Sequence, residues 1–105
     1  MRKEIVRRDI IRTKKKEIEE SIGLVEENLP ETFEEFSRLG LIKDGIYKRT
    51  EFAIENVFDI CAIITTDLEL GIPSDDEDIV ERLAKSGILD EGMKEKLKAM
   101  RGFRN

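Results

Sequence analysis

The sequence has no histidine, one cysteine and two prolines among its 105 residues. Without histidine, the chain by itself can neither hold a histidine-ligated zinc ion nor use an imidazole for acid–base chemistry. The single cysteine, Cys61, excludes a disulfide within the chain and fits a reducing compartment. No apolar run reaches the ~18 residues that a membrane-spanning helix needs, and the first residues do not resemble a signal peptide. We therefore expect a cytoplasmic protein that does not enter a membrane.

The composition favours a small helical protein. Charged residues make up 41% of the chain, hydrophobic residues 39% and aromatic residues only 6%. A chain of this length can bury roughly two-thirds of its unfolded surface, so it can form a core without disulfides or metals. We expect a single helical domain over residues 1–105.

The charges are unevenly distributed along the chain. Residues 1–16 carry eight basic and two acidic side chains, a net charge of +6, whereas residues 17–105 carry a net charge of −11. The eight basic residues are Arg2, Lys3, Arg7, Arg8, Arg12, Lys14, Lys15 and Lys16. This basic segment has two interpretations. It could contact phosphate groups, with release of counterions, or it could be a solvated helix face partly paired with the acidic remainder of the chain.

Hydrophobic residues recur at helical spacing in five segments, and no segment alternates as a strand would. The predicted helices cover about residues 3–27, 33–39, 42–70, 75–85 and 91–103. Pro30 ends the first helix, and Thr32 with Glu35 forms a capping box for the second. Ser74 with Glu77 forms a similar box for the fourth, and Asp90 is a plausible N-cap for the fifth.

The third predicted helix is apolar on more than one face. One stripe follows steps of three and four residues, and a second apolar flank lies beside it. The stripe comprises Ile42, Ile46, Thr50, Ala53, Val57, Cys61, Ile64 and Leu68, and the flank comprises Tyr47, Ile54, Phe58, Ile60 and Ile63. A helix of this kind is covered on several sides, so we expect a four- to five-helix bundle and a two-fold dimer, with this helix or the fifth near the axis.

From residue 42 onward the sequence resembles the HepT-like proteins of the HEPN superfamily. Three strings carry the resemblance: Asp44 to Tyr47 at the start of the long helix, Ala53-Ile54-Glu55 with Asp59-Ile60 at its centre, and Met100-Arg101-Gly102-Phe103-Arg104-Asn105. The last string is the most specific. In the family it opens a signature written R-N-x-x-x-H, usually with a tyrosine two residues after the histidine.

The resemblance implies an all-α HEPN-type bundle that forms a homodimer and cleaves RNA without a metal or other cofactor. Such proteins are the toxins of type VII toxin–antitoxin pairs. The implied partner is a minimal nucleotidyltransferase antitoxin, which modifies the signature tyrosine with AMP. By the same resemblance, Arg104 is the cation that stabilises charge on the phosphate and Asn105 orients neighbouring groups.

The catalytic histidine of the signature does not occur in this chain. We therefore expect the 105 residues to be a shortened form of a longer parent, with a truncated last helix and weak or no activity, because lost acid–base assistance typically costs ~10²–10⁴ in rate. Two other functions remain open. The chain could be a non-catalytic helical dimerisation module, or a nucleotide-binding accessory module that works with a nucleotidyltransferase.

Three further side chains are candidates for chemistry. Glu55 and Asp59, four residues apart on the long helix, could line a polar cleft, although this spacing more often marks a solvated stripe. Cys61 lies on the apolar stripe, so we interpret it as a small core residue rather than a nucleophile.

Overall fold

A computed structural model describes residues 7–103, and within this range it contains five α-helices and no strand. The helices are α1 (Arg8–Asn28), α2 (Phe33–Ser37), α3 (Leu41–Asp67), α4 (Asp76–Lys85) and α5 (Glu91–Arg101). The predicted all-α class and the number of helices are confirmed. The start predicted for the first helix lies outside the described residues.

Helices α1 and α3 pack side by side and run in opposite directions. The carboxylate of Asp67, at the end of α3, accepts hydrogen bonds from the backbone N–H and Nε of Arg7, each at 2.9 Å. Two turns into α1, the Lys14 ammonium donates to Asp59 at 3.1 Å. Because these contacts move backward along α3 as α1 advances, the two helices form an antiparallel pair.

The hydrophobic core lies between the second half of α3 and the two short helices that follow it. It is a cluster of seven buried residues: Ile54, Phe58, Cys61, Ile79, Val80, Leu83 and Leu97. Partly buried side chains from the same helices and their connections pack against this cluster, including Leu70, Leu89 and Met100. α3 is therefore covered by α1 on one side and by α4 and α5 on another, as its two apolar flanks predicted.

The cap predictions are correct for α2 and α5 and wrong by one residue for α4. The Thr32 hydroxyl accepts the backbone N–H of Glu35 at 3.1 Å, and the Asp90 carboxylate accepts that of Met93 at 2.7 Å. For α4 the N-cap is Asp75, whose carboxylate accepts the backbone N–H of Asp78 at 2.8 Å. The predicted cap, Ser74, instead donates its own backbone N–H to the Asp78 carboxylate.

Three helices end earlier than their periodicity predicted. α2 stops at Ser37 rather than residue 39, and α5 stops at Arg101 rather than residue 103. α3 stops at Asp67 rather than residue 70, because Glu69 adopts a left-handed conformation with φ of 56°. This reversal lets the Leu70 N–H bond the Thr65 carbonyl, which closes the helix as a glycine usually does.

Burial along α1 and α3 differs from what the helical spacing of their apolar residues predicts. Ile42 and Ile22 are each about half exposed, whereas Ile54 and Phe58 from the second flank of α3 are almost fully buried. On α1 the fully buried residue is Ser21. Ile54 and Phe58 belong to the core cluster together with residues of α4 and α5, while Ile42 precedes the part of α3 that those helices reach.

The first half of α3 and the last turns of α1 leave a shallow, largely apolar groove of about 260 Å³. It is lined by Leu24, Val25, Asn28, Ile42, Gly45, Ile46 and Arg49.

Among residues 7–103, no helix is both long and apolar enough to cross a membrane.

Candidate functional site

The two predicted site residues, Arg104 and Asn105, lie outside the described residues. The structure therefore locates the segment that leads to them, which is the end of α5. In its last turn the Gly102 N–H donates to the Ala99 carbonyl at 3.2 Å, and the Phe103 N–H donates to the Met100 carbonyl at 2.9 Å. Both bonds span three residues, so residues 102 and 103 form a turn directly after the end of α5 at Arg101.

Apolar contacts anchor α5 against the core. Leu97 is 4% exposed and belongs to the core cluster, and Met100 packs against the same cluster one turn later. Phe103 lies three residues after Met100, at the same helical spacing. It is nevertheless 64% exposed, because it lies in the turn that follows α5. The core thus fixes α5 up to the turn that precedes the predicted site.

A row of ion pairs holds α5 against α4. The Lys98 ammonium donates to the Glu81 carboxylate, and Lys94 lies 3.7 Å from the same carboxyl group. The hydrogen bond from Lys98 lowers the pKa of Glu81, and the same bond raises the pKa of Lys98. At the end of the row, Arg101 Nη1 lies 4.0 Å from Glu77 in the first turn of α4. The end of α5 therefore lies beside the start of α4.

The two carboxylates predicted as a pair on the long helix, those of Glu55 and Asp59, differ in burial. Asp59 is partly buried and bound by Lys14 of α1, which neutralises its charge. Glu55, one turn earlier, is exposed. Their role in lining a polar cleft stays a prediction.

Cys61 is a core residue, as its place on the apolar stripe predicted. It is 7% exposed, and burial raises the pKa of its thiol to about 11. A thiol with this pKa is almost entirely protonated at neutral pH, so it is a poor nucleophile. Within the described residues, no three His, Cys, Asp or Glu side chains are placed to hold a metal ion.

Two buried polar side chains, one on α1 and one on α3, were not predicted from the sequence. Ser21 is fully buried and Asn56 is 3% exposed, and neither the Ser21 hydroxyl nor the Asn56 Nδ2 has a hydrogen-bond partner within residues 7–103. Spacing gave a partial signal for Ser21, which lies three residues after Ile18 on the buried side of α1. Nothing in the pattern distinguished Asn56 from its exposed neighbours.

The described part of the basic first segment, residues 7–16, matches the second of its two interpretations, and contact with phosphate stays a prediction. Arg7 and Lys14 are paired with acidic residues of α3, as expected for a segment that neutralises the acidic remainder of the chain. Other cations of α1 point to solvent, namely Arg8, Arg12, Lys15 and Lys16. Of the six cations among residues 7–16, two therefore bind α3 and four remain accessible.

Comparison with known proteins adds two findings. The family model described as "Ribonuclease HepT-like" matches residues 18–105, which include Arg104 and Asn105. Among solved structures, a chain in "Crystal structure of the toxin-antitoxin with AMP-PNP" superposes with a TM-score of 0.85. That chain is 26% identical, and the match covers 92% of this chain and 73% of that one. A search of curated proteins found no match.

Proposed function

This chain belongs to the ribonuclease HepT-like family, and we propose that it is the RNA-cleaving toxin component of a type VII toxin–antitoxin pair. The observation that carries the proposal is the family match through residue 105, which includes the first two positions of the R-N-x-x-x-H signature. The similarity to a chain from a toxin–antitoxin structure supports the same assignment. We also propose that residues 1–105 form one domain and that the protein works in the cytoplasm.

In this proposal Arg104 stabilises the charge that develops on the phosphate when the 2′-hydroxyl of RNA attacks it. A guanidinium suits this role because it stays charged at every physiological pH and binds two phosphate oxygens in a fork. Asn105 orients the phosphate or a neighbouring group through its amide. Neither side chain transfers a proton at neutral pH, so full activity requires the signature histidine, which these 105 residues do not contain.

The proposed partners are a second copy of the chain and a minimal nucleotidyltransferase antitoxin. AMP-PNP, present in the similar toxin–antitoxin structure, is an analogue of ATP, which is the donor that a transfer of AMP requires. The half-exposed apolar residues on the first half of α3 support association with a second copy.

The test compares three proteins on a mixed RNA substrate in a chelating, metal-free buffer. They are the 105-residue chain, a chain extended through the signature histidine, and the extended chain with Arg104→Ala. We expect strong cleavage by the extended chain and rates lower by ~10²–10⁴ for the 105-residue chain. Arg104→Ala should lower the extended chain's rate by roughly 10²–10³.

Equal cleavage by the short and extended chains would contradict the role of the histidine. Full activity of the Arg104→Ala variant would remove Arg104 from the site. If no form cleaves RNA, the second candidate, a non-catalytic helical module, replaces the first.

A further inference from the structure

The accessible cations of α1 form one continuous surface. Arg8, Arg12 and Lys16 follow at intervals of four residues, and Lys15 lies beside them, so all four project from adjacent positions on one side of the helix. We call these four residues the basic face. It extends over about 12 Å of helix at ~1.5 Å per residue, which is long enough to contact more than one phosphate of a nucleic acid.

The packing of α1 orients this face away from the protein. Arg7 and Lys14 are seven residues apart and therefore share one side of α1, and both are bound by carboxylates of α3. Fixing that side against α3 leaves the basic face turned to solvent. Within residues 7–103, Arg8, Lys15 and Lys16 have no ion-pair partner, and Arg12 has only Asp9 at 3.2 Å, with both side chains largely exposed. An ion pair so exposed contributes little and is readily exchanged for another anion.

The basic face ends abruptly along α1. The next residues bring acidic side chains, at Glu17, Glu19 and Glu20. Positive charge is thus confined to the N-terminal half of the helix, and a polyanion would be repelled from the C-terminal half.

The start of α1 and the last turn of α5 are each bound next to the segment that joins α3 to α4. Asp67 binds Arg7 at the end of α3, so the start of α1 lies where α3 stops. Eight residues, 68–75, connect that point to the first turn of α4, and Arg101 lies against Glu77 in that turn. The connection between α3 and α4 therefore has the start of α1 bound at its beginning and the last turn of α5 bound just after its end.

We propose that the basic face, Arg8, Arg12, Lys15 and Lys16, binds the phosphate backbone of single-stranded RNA and positions it at the cleavage site that follows α5. This inference rests on the proposed function, which it extends from the reacting phosphate to the flanking ones. Charge complementarity carries it: RNA supplies regularly spaced negative charge, and the face supplies positive charge in a chain whose other residues are net acidic.

The experiment measures binding of a fluorescein-labelled 2′-O-methyl RNA dodecamer by anisotropy at several salt concentrations. This probe lacks the 2′-hydroxyl nucleophile, so the measurement does not depend on cleavage. The variant combines Arg8→Gln, Arg12→Gln and Lys15→Gln. Its matched control combines Lys48→Gln, Lys85→Gln and Lys96→Gln, which removes the same charge from three exposed positions on α3, α4 and α5.

We expect the basic-face variant to bind roughly tenfold to a hundredfold more weakly at 0.1 M salt, and the slope of log affinity against log salt to fall by about 2, since each lost phosphate contact removes ~0.7. The control should bind nearly as tightly as the unmodified chain. The melting temperatures of both variants should stay close to that of the unmodified chain, because the substituted side chains are exposed.

Equal weakening in both triple variants would assign binding to net charge alone and overturn the proposal. So would unchanged binding by the basic-face variant, or no binding by the unmodified chain. If the basic face binds polyglutamate but not the RNA probe, its ligand is an acidic protein partner, and this result also overturns the proposal. Cleavage of unmodified RNA by the extended chain is measured separately. If the extended chain cleaves RNA but the basic face does not bind the probe, the proposed function stands and the basic-face proposal fails. If the basic face binds the probe but the extended chain does not cleave RNA, the proposed function fails and only the binding role of the basic face remains.

Discussion

The two halves of α3 lie in different surroundings although one continuous helix contains both. In the second half, residues 54–67, Ile54, Phe58, Cys61 and Thr65 are all buried, and the first three belong to the core cluster with residues of α4 and α5. In the first half, residues 41–53, only Ile46 is buried, and Leu41 is 87% exposed. The difference shows that a helix's own periodicity marks which residues can be buried, whereas the neighbouring helices decide which of them are.

The neighbours differ in size as well as position. α4 and α5 have ten and eleven residues and bring Ile79, Val80, Leu83 and Leu97 to the second half. α1 packs beside both halves, and apart from it the first half has only α2 next to it in the chain, with five residues, none of them buried. We therefore expect stability to be concentrated in the second half of α3, and the first half to remain available for association.

The largest expected effect compares two phenylalanines. Phe58 is 2% exposed in the second half of α3, and Phe33 is 80% exposed on α2. Phe58→Ala should lower the free energy of unfolding by ~3–5 kcal/mol, because it removes a ring from a closely packed core and leaves a cavity. Phe33→Ala should change it by less than ~0.5 kcal/mol, as expected for an exposed side chain. Urea denaturation followed by circular dichroism measures both changes.

Similar losses for the two variants would mean that stability is not concentrated where burial places it. If Phe58→Ala is too unstable to fold, Phe58→Leu gives the same comparison with a smaller change in volume. The Phe33→Ala variant also controls for the removal of an aromatic ring from the unfolded chain.

Much of this asymmetric fold follows from local sequence. The five helices and the caps at Thr32 and Asp90 depend on side chains within a few residues of one another, so the pattern predicts them correctly. At α4, two overlapping patterns each place an acid three residues after a cap residue. The choice of Asp75 over Ser74 depends on a bond from the Ser74 N–H to Asp78 that the pattern does not encode.

Features that depend on distant partners could not be predicted in the same way. α3 ends just before the left-handed Glu69, after which Leu70 packs against the core and its carbonyl accepts a hydrogen bond from Arg82 of α4. The burial of Ser21 and Asn56 depends on how α1 meets α3. The site residues Arg104 and Asn105 come from the family signature alone, since an arginine and an asparagine near a helix end have no distinctive periodicity.

The second prediction concerns association through the less covered half. We expect the chain to sediment as a dimer at tens of micromolar, with the first half of α3 near the two-fold axis. Ile42→Glu should then shift the population toward monomer, because it places a charge on an apolar surface that a second copy would bury. Met93→Glu is the matched control on α5, since Met93 is 44% exposed and Ile42 50%. Dissociation by Met93→Glu alone would place α5 at the axis instead, and a monomeric unmodified chain would contradict the dimer.

The smallest expected effect tests the charges that hold α4 in the more covered half. The backbone N–H of Ser74 and the Arg82 guanidinium hydrogen-bond the Asp78 carboxylate and lower its pKa below the ordinary 3.8. The hydrogen bond from Lys98 lowers the pKa of Glu81 below the ordinary 4.5. Because the ionised forms are favoured in the folded state, both carboxylates stabilise it at neutral pH.

This stabilisation should disappear as the pH falls from about 4.5 to below the folded-state pKa values of the two carboxylates, because protonation then favours the unfolded chain. The urea midpoint of the unmodified chain should therefore decrease through this range. The double variant Asp78→Asn, Glu81→Gln should start from a lower midpoint at pH 7 and decrease less on acidification. A second double variant, Glu20→Gln with Glu27→Gln, removes two exposed carboxylates from α1 and should keep the full decrease. If the double variant at Asp78 and Glu81 instead loses stability on acidification as steeply as the unmodified chain does, acid sensitivity arises elsewhere. The ion pairs of α4 would then not contribute to the difference between the two halves of α3.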